Sequence, residues 1–338
     1  MTNTSIEPLA VTFTSDRRLV GDDARALRRP PRVSGPQSVH RLRRGVYTRA
    51  HEWASADDRT RHLTRMVAVA GTRRDDVVFV GISAAAVWGL PVIGAWPQAV
   101  EALAGPRSGV RSKNGVDWHH WSVPDDEIEA VGPWLVTSVA RTLSDIARHS
   151  PFVSAVAALD HGLKATVTAS DGSVHQGAEK EELLDGLRAD ENARGRARAL
   201  AAISFADPLA ESPGESLSRV QIHRLGFAPP LLQSRVERGD GGSDHPDFEW
   251  ERAYGEFDGF AKYARPEYTQ GRPAAEIVWN EKRREDRLRK HGKAVARWTW
   301  EDAWNPPRLR SILLAAGVEQ TRRAAFSPDA FGEWVVNA

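Results

Sequence analysis

Three acidic residues in the C-terminal half have the types and spacing of a metal site. Asp247 lies in a predicted strand, residues 245–250, and Glu256 and Asp258 lie in the next, residues 253–258. A short turn between these strands places Asp247 opposite Glu256, and Asp258 shares their face because side chains alternate along a strand. Like charges in these positions repel, which favours a bound divalent cation, Mg²⁺ or Mn²⁺; the alternative is a set of solvated surface acids.

A basic segment follows the acids. Residues 275–291 are predicted to form a highly charged helix that ends at Gly292. Residues 282–297 contain eight Lys or Arg against Glu285 and Asp286. A metal ion can contact a scissile phosphate while basic side chains neutralise its neighbours, so this combination favours a phosphodiester substrate.

A helix start precedes the acidic strands. Ser212 is placed to be the N-cap, Pro213 the first helical residue and Glu215 the third, which predicts a helix over residues 216–225. Glu215 therefore has two interpretations that the sequence leaves open. It is either a capping residue alone or a further acid of the site.

The elements that must position these residues form a helix followed by an antiparallel meander. Predicted strands at 231–236, 245–250 and 253–258 come first, and the charged helix then leads into a strand at 293–298. Helices and strands that succeed one another in this way indicate an α/β (α+β) fold.

The motifs of this segment resemble those of a known superfamily. They are Pro246-Asp247, Glu256-Phe-Asp-Gly259, Lys262-Tyr263, Glu281-Lys-x-Arg-Glu-Asp-x-Leu-Arg289 and Arg297-Trp-Thr-Trp300. As a set they resemble the Vsr-like actinobacterial branch of the PD-(D/E)xK nuclease superfamily, over about residues 208–316. The resemblance implies a restriction-endonuclease-like mixed sheet flanked by helices, and metal-dependent hydrolysis of DNA phosphodiesters.

The resemblance also implies roles for individual residues. Asp247 and Glu256 would bind the metal, with the carbonyl group of Phe257 as a further ligand. Glu215 matches the acid that the superfamily carries on its first helix. Basic residues of the charged helix would contact DNA phosphates: Arg283, Arg284 and Arg287.

One position departs from the superfamily pattern. Asp258 stands where the lysine of the ExK motif belongs. Lys262 or Lys282 would then supply the positive charge that activates water or stabilises the transition state. A chain that has lost this lysine instead would be a non-catalytic DNA-binding regulator that keeps the nuclease fold.

The N-terminal region is locally basic although the whole chain has a net charge of only +1. Residues 17–49 contain ten arginines against Asp22 and Asp23. Such a run is either a solvated arm or a surface that binds phosphate.

Three segments of the N-terminal half carry a second resemblance. They are Arg41-Leu-Arg-Arg-Gly-Val-Tyr47, Ser83-Ala-Ala-Ala-Val-Trp-Gly-Leu-Pro91 and Val136-Thr-Ser-Val-Ala-Arg-Thr-Leu-Ser-Asp145. They resemble the AbiEi-type antitoxins of type IV toxin–antitoxin systems, which have a winged-helix DNA-binding domain before a mixed α/β domain. Prolines stand where recognition helices would belong, so we expect a degenerate winged helix in which Arg43 and Arg44 contact phosphate.

Local patterns predict further elements in this half. Ser83 is expected to cap a helix that ends at Gly89, and residues 105–115 are expected to form a hairpin loop. Arg141 and Asp145 have the spacing of an ion pair on one helix. Residues 165–178 are small and polar and are expected to be a surface loop or linker.

These observations together predict four parts: a basic arm (1–50), an antitoxin-like domain (51–205), a nuclease-like domain (206–320) and a C-terminal tail (321–338). The chain has no cysteine, which excludes disulfides, thiolate metal sites and a cysteine nucleophile. No signal-peptide pattern or long apolar run is present, so we expect a cytoplasmic protein without a membrane segment. A protein-binding antitoxin with a separate toxin partner is a third functional hypothesis.

Overall fold

The computed structural model describes residues 6–13, 38–189, 194–239, 241–259, 283–284 and 286–322. Its strands are β1 (Thr12–Phe13), β2 (Val39–Arg43), β3 (Val46–Arg49), β4 (Val78–Phe79), β5 (Val100–Leu103), β6 (Val116–His119), β7 (Ile128–Val131), β8 (Trp134–Thr137), β9 (Thr166–Thr168), β10 (Val174–Gln176), β11 (Leu231–Leu232), β12 (Val236–Glu237), β13 (Ser243–Asp244), β14 (Phe248–Glu249), β15 (Ala253–Phe257) and β16 (Ala294–Trp298). Its helices are α1 (Ala50–Ser55), α2 (Asp58–Ala70), α3 (Gly81–Trp88), α4 (Val139–His149), α5 (Phe152–Gly162), α6 (Lys180–Ala189), α7 (Arg196–Phe205), α8 (Pro213–Arg224), α9 (Trp300–Trp304) and α10 (Pro306–Ala315).

The chain divides into two compact units. The first comprises Met1–Ser150 and Gly162–Ser204, and the second comprises Pro151–His161 and Phe205–Ala338. Both contain helices and mixed sheets, so the fold class is α/β (α+β), as the sequence predicts. None of the helices in the described ranges is long and apolar enough to cross a membrane.

The first unit is organised around a five-stranded sheet in the order β6-β5-β4-β8-β7. Its pairs β5–β6 and β4–β8 are parallel and the other two are antiparallel. Helices α2 and α3 contribute the fully buried side chains of Leu63, Met66 and Trp88. Asp57 accepts a hydrogen bond from the Thr60 amide at 2.7 Å, which caps the start of α2.

A second, three-stranded sheet of this unit has the order β1-β3-β2. Gly45 joins β2 to β3 with a φ of 76°, a conformation that glycine adopts without strain. The pairing shifts register between Arg41 and Arg43, so β2 carries a bulge one residue before the turn. This hairpin places Arg43 at the end of β2 and leaves Arg44 exposed.

Three local predictions for the first unit are wrong. Ser83 lies inside α3 rather than at its start, where it hydrogen-bonds the buried His62 ring. Residues 105–115 connect two parallel strands and are therefore not a hairpin loop. Residues 165–178 contain the antiparallel pair β9–β10 and bury Val167, Ala169 and Ala178, so the segment packs into the unit and is not a solvated loop.

The predicted ion pair in α4 is confirmed. The Nε atom of Arg141 lies 3.0 Å from Oδ1 of Asp145, and its Nη1 atom lies 2.8 Å from Glu127. Ser138 accepts a hydrogen bond from the Arg141 amide and is the N-cap of the helix. Arg141 therefore links α4 to the turn before β7.

The second unit contains a four-stranded sheet in the order β11-β14-β15-β16. The first two pairs are antiparallel and β15–β16 is parallel. Helix α8 precedes the sheet, the helical residues 283–284 and 286–289 lie between β15 and β16, and α9 and α10 follow. All five residues of β15 are buried, which makes it the central strand of the unit.

The meander differs from the prediction in strand length. The expected strand 231–236 ends at Leu232, because Gln233 has a φ of 49° and cannot continue an extended strand. Val236–Glu237 pairs instead with Ser243–Asp244 as a separate hairpin. The expected strand 245–250 is reduced to Phe248–Glu249.

Candidate active site

The N-terminus of α8 positions Glu215 as the sequence predicts. Ser212 is the N-cap and accepts a hydrogen bond from the Glu215 amide at 3.2 Å, and Pro213 occupies the first helical position. The Glu215 carboxylate accepts from the Ser212 hydroxyl at 2.7 Å and from the Glu211 amide at 2.8 Å. The side-chain amide of Gln233 donates to it at 3.3 Å. Glu215 is therefore a capping residue, and its carboxylate is also held in a fixed position.

The start of α8 lies directly against the end of β15. Gly214 faces the Phe257 ring so closely that a Cβ atom at this position would overlap the ring carbons. Glycine is required here because any larger side chain would push the helix away from the strand. This contact brings Glu215 to the carboxyl end of β15.

Asp247 lies at the same end of the sheet. The pairs Phe248–Gly255 and Glu249–Tyr254 confirm the register that the sequence predicts, in which Asp247 is next in line to Glu256. The ladder stops before this pair, however. Oδ2 of Asp247 accepts a hydrogen bond from the Phe257 amide at 2.8 Å and so replaces a backbone acceptor at the strand end.

Glu215 and Asp247 form an electrostatically coupled pair of acids. Burial is the main cause that raises the pKa of Glu215, to about 7, and the negative charge of Asp247 contributes in the same direction. The two carboxylates come from different elements, the first turn of α8 and the residue before β14. Like charges placed close together in this way repel each other.

Glu256 is buried but has a different partner. Its Oε1 atom lies 3.1 Å from Nη2 of Arg284, which also donates to the carbonyl group of His245. Arg287 donates two hydrogen bonds to Asp244, at 2.7 and 2.8 Å, and these lower the pKa of Asp244. The helical residues before β16 therefore hold Glu256 of β15 and Asp244 of β13.

Two residues of the basic helix have partners within the protein. Arg284 and Arg287 were expected to contact DNA phosphates, but their guanidinium groups are engaged with Glu256 and Asp244. Arg287 lies 2.7 Å from Asp244 and Arg284 lies 3.1 Å from Glu256, so both cations have an acidic partner within the protein. Arg283 is exposed, and its contact with phosphate stays a prediction.

The expected convergence of three acids is not observed. Within the described ranges, no group of three His, Asp or Glu side chains is arranged to hold a metal ion. Glu256 is turned to Arg284, Asp247 to the Phe257 amide, and the Asp258 amide continues the pairing with Trp298 at 2.8 Å. Glu215 and Asp247 are therefore the two acids of the predicted set that remain electrostatically coupled.

The two candidate lysines cannot be placed. Lys262 and Lys282 both lie outside the described residues. Gln233 and the Arg284–Glu256 pair were missed by the sequence analysis. No local pattern indicates them, because each depends on segments that are distant along the chain.

Comparisons of the chain with protein-family models, with curated proteins and with solved structures each found no match.

The pKa of Glu215 predicts a pH dependence of stability. An ordinary glutamate has a pKa near 4.5, so between about pH 4.5 and 7 the folded protein binds more protons than the unfolded chain. The free energy of unfolding should therefore fall as the pH rises through this window, by on the order of 2 to 3 kcal/mol for this group. The buried Glu101 and Asp145, with pKa values raised to about 7 and about 6, act in the same direction.

Melting temperatures of the wild type and Glu215→Gln at pH 5 and pH 8 separate these contributions. The wild type should lose more stability between the two pH values than the variant does. Equal losses would show that Glu215 titrates as an ordinary surface acid.

Proposed function

We propose that the second unit is a Mg²⁺-dependent, endonuclease-like domain that hydrolyses DNA phosphodiesters. The observation that carries the proposal is the coupled pair of Glu215 and Asp247 at the carboxyl end of β15. The order of elements supports it: a helix, three antiparallel strands, a helix and a parallel fourth strand follow the arrangement that the motif resemblance implies. We place the protein in the cytoplasm, in a bacterial defence or toxin–antitoxin context.

The residues of the chain have separate tasks in this proposal. Glu215 and Asp247 hold the ion, and Gln233 fixes the orientation of Glu215 through its side-chain amide. Glu256 lies beside Arg284, and in this proposal it becomes a further ligand when that arginine turns to the substrate. When bound, the cation would polarise a phosphate oxygen and activate water for attack.

A non-catalytic DNA-binding regulator is the second candidate function. The specific observation in its favour is the ion pair of Glu256 with Arg284, which places an internal cation beside the acid that the resemblance assigns to the metal. Asp258, which stands where the superfamily motif has its lysine, also favours the regulator. Such a protein would bind DNA through its basic side chains without cleaving it.

Purified full-length protein and supercoiled plasmid separate the two candidates. The nuclease should nick or linearise the plasmid with 10 mM Mg²⁺ or Mn²⁺ and not with EDTA. Retardation of DNA in EDTA without cleavage in either metal would favour the regulator. Neither cleavage nor retardation would leave the protein-binding antitoxin as the remaining hypothesis.

Metal binding should also be visible as stabilisation. If the Mg²⁺ dissociation constant is about 1 mM, 10 mM Mg²⁺ adds roughly 1.4 kcal/mol to the free energy of unfolding. That corresponds to a rise of about 2 to 4 °C in the melting temperature. The Asp247→Asn variant should lose most of this shift, whereas an equal shift in both proteins would mean that the ion binds elsewhere.

A further inference from the structure

A basic cleft of about 490 Å³ lies in the first unit, between the hairpin β2–β3, helices α1 and α2, and residues 95–98. We call it the arginine cleft. Its principal lining residues are Arg41, Arg43, Arg61, Arg65, Trp53 and Trp96. Four guanidinium groups and two indole rings therefore surround one cavity, a composition that the motifs of the sequence do not reveal.

The positive charges of the arginine cleft are crowded. Burial lowers the pKa of Arg43, and the charge of Arg73 lowers it further. Burial and Arg61 have the same effect on the pKa of Arg65. The one carboxylate of the lining, Asp58, is already paired with Arg61 at 3.1 Å. An anion in the cleft would relieve this repulsion.

The arginines of the cleft differ in the contacts that they make within the protein. Arg61 donates to the carbonyl groups of Trp53 and Ala54 as well as to Asp58, so its role is structural. Arg65 donates to Gln98 at 2.8 Å and lies 5.0 Å above the Trp53 ring. In the part of the chain that the structure describes, the buried Nη1 atom of Arg43 has no hydrogen-bond partner. A buried donor without an acceptor is rare, and a ligand oxygen would satisfy it once the Arg43 side chain turned this atom toward the cleft.

An aromatic surface accompanies the charges. Trp96 lines the cleft with part of its ring exposed, and its position is fixed by the His62 ring, whose centroid is 5.4 Å away. Ligand cavities of small molecules commonly measure about 300 to 1,000 Å³, a range that includes this cleft. One ligand could therefore stack a planar ring on Trp96 and place an anionic group against Arg43 and Arg65.

We propose that the arginine cleft binds a nucleotide, with Arg43 and Arg65 contacting its phosphate and Trp96 stacking on its base. The ligand is either a free nucleotide or the terminal unit of a nucleic-acid strand. This site is independent of the acids of the second unit, and it holds whether or not those acids cleave DNA.

Calorimetric titration of the full-length protein in EDTA tests the site. The probes are adenosine monophosphate, inorganic phosphate and a short 5′-phosphorylated single-stranded DNA. Adenosine monophosphate should bind more tightly than phosphate, and Arg43→Gln and Arg65→Gln should each weaken it about tenfold, the loss expected for one charged hydrogen bond. Arg107→Gln, an exposed arginine outside the lining, is the matched control and should change nothing.

Trp96→Leu separates base recognition from phosphate binding. It should abolish the preference for adenosine monophosphate over phosphate and leave phosphate affinity unchanged. Tighter binding of the DNA than of the nucleotide identifies a strand end as the ligand, and equal or weaker binding identifies the free nucleotide. If the DNA binds at the second unit instead, Asp247→Asn changes its affinity and Arg43→Gln does not.

Two results would overturn the proposal. One is the absence of saturable binding of all three probes to the wild type up to about 10 mM, the weak limit for a specific site. The other is an equal loss of affinity in Arg43→Gln and Arg107→Gln. The melting temperature of every variant shows whether a loss of binding comes from a loss of folding. If Arg65→Gln does not fold, Arg43→Gln alone provides the test.

Discussion

Asp247→Asn should reduce Mg²⁺-dependent plasmid cleavage more than about 100-fold, since even the loss of a group that only orients a metal ligand costs 10- to 100-fold. The substitution removes the charge that faces Glu215 but keeps an oxygen that can accept the Phe257 amide. The variant should therefore fold normally and lose the ion. Initial nicking rates at 10 mM Mg²⁺ measure the effect.

Glu237→Gln is the matched control for this experiment. Glu237 is an exposed acid of β12, paired with the exposed Arg235, and is not part of the candidate site. Its loss should leave the cleavage rate within about twofold, as expected for an exposed ion pair. Wild-type rates in Asp247→Asn would remove Asp247 from the site and with it the proposed metal position.

Arg219→Met should cause the largest loss of stability. Nη1 of Arg219 lies 2.8 Å from Oδ2 of Asp160, whose side chain is only 1% exposed. Asp160 also accepts from the Ser216 hydroxyl and the Asp207 amide, each at 2.7 Å. Methionine would leave Asp160 buried without its counter-ion, which costs about 3 to 5 kcal/mol, or roughly 10 °C in the melting temperature.

Arg235→Met makes the same chemical change at an exposed ion pair. Arg235 and Glu237 are both about two-thirds exposed, at 64% and 66%, so the loss should stay below about 1 kcal/mol. Asp160→Asn combined with Arg219→Met should recover part of the stability, because burying an amide costs less than burying a charge. Equal melting temperatures for Arg219→Met and Arg235→Met would mean that the buried pair contributes no more than a surface pair.

The sequence predicted those features that depend on neighbouring residues. Ser212, Pro213 and Glu215 define the start of α8 because capping is a contact within one turn. The register of β14 with β15 follows from the length of one short turn. Arg141 and Asp145 pair because they are four residues apart on a helix.

Tertiary structure decided the features that join distant segments. Strands β5 and β6 pair in parallel, although the polar loop between them suggested a hairpin. The direction of a strand depends on which strands lie beside it in the whole sheet, here in the order β6-β5-β4-β8-β7, and the connecting loop alone does not fix it. Helix α5 is recognisable from its apolar residues, yet most of it, Pro151–His161, belongs to the second unit. In that unit Asp160 forms an ion pair with Arg219. No sequence spacing indicates a pair between residues so distant along the chain.

The candidate site shows the same division. The sequence by itself predicted that Asp247 and Glu256 lie in line with each other, from the alternation of side chains and the length of one turn. Only the tertiary structure decided which partners each carboxylate has. Gly214 lets α8 approach β15 and brings Glu215 to Asp247, while Arg284 takes Glu256. The physical reason is that carboxylates compete for the nearest positive charge or amide, and those partners arrive from other elements of the fold.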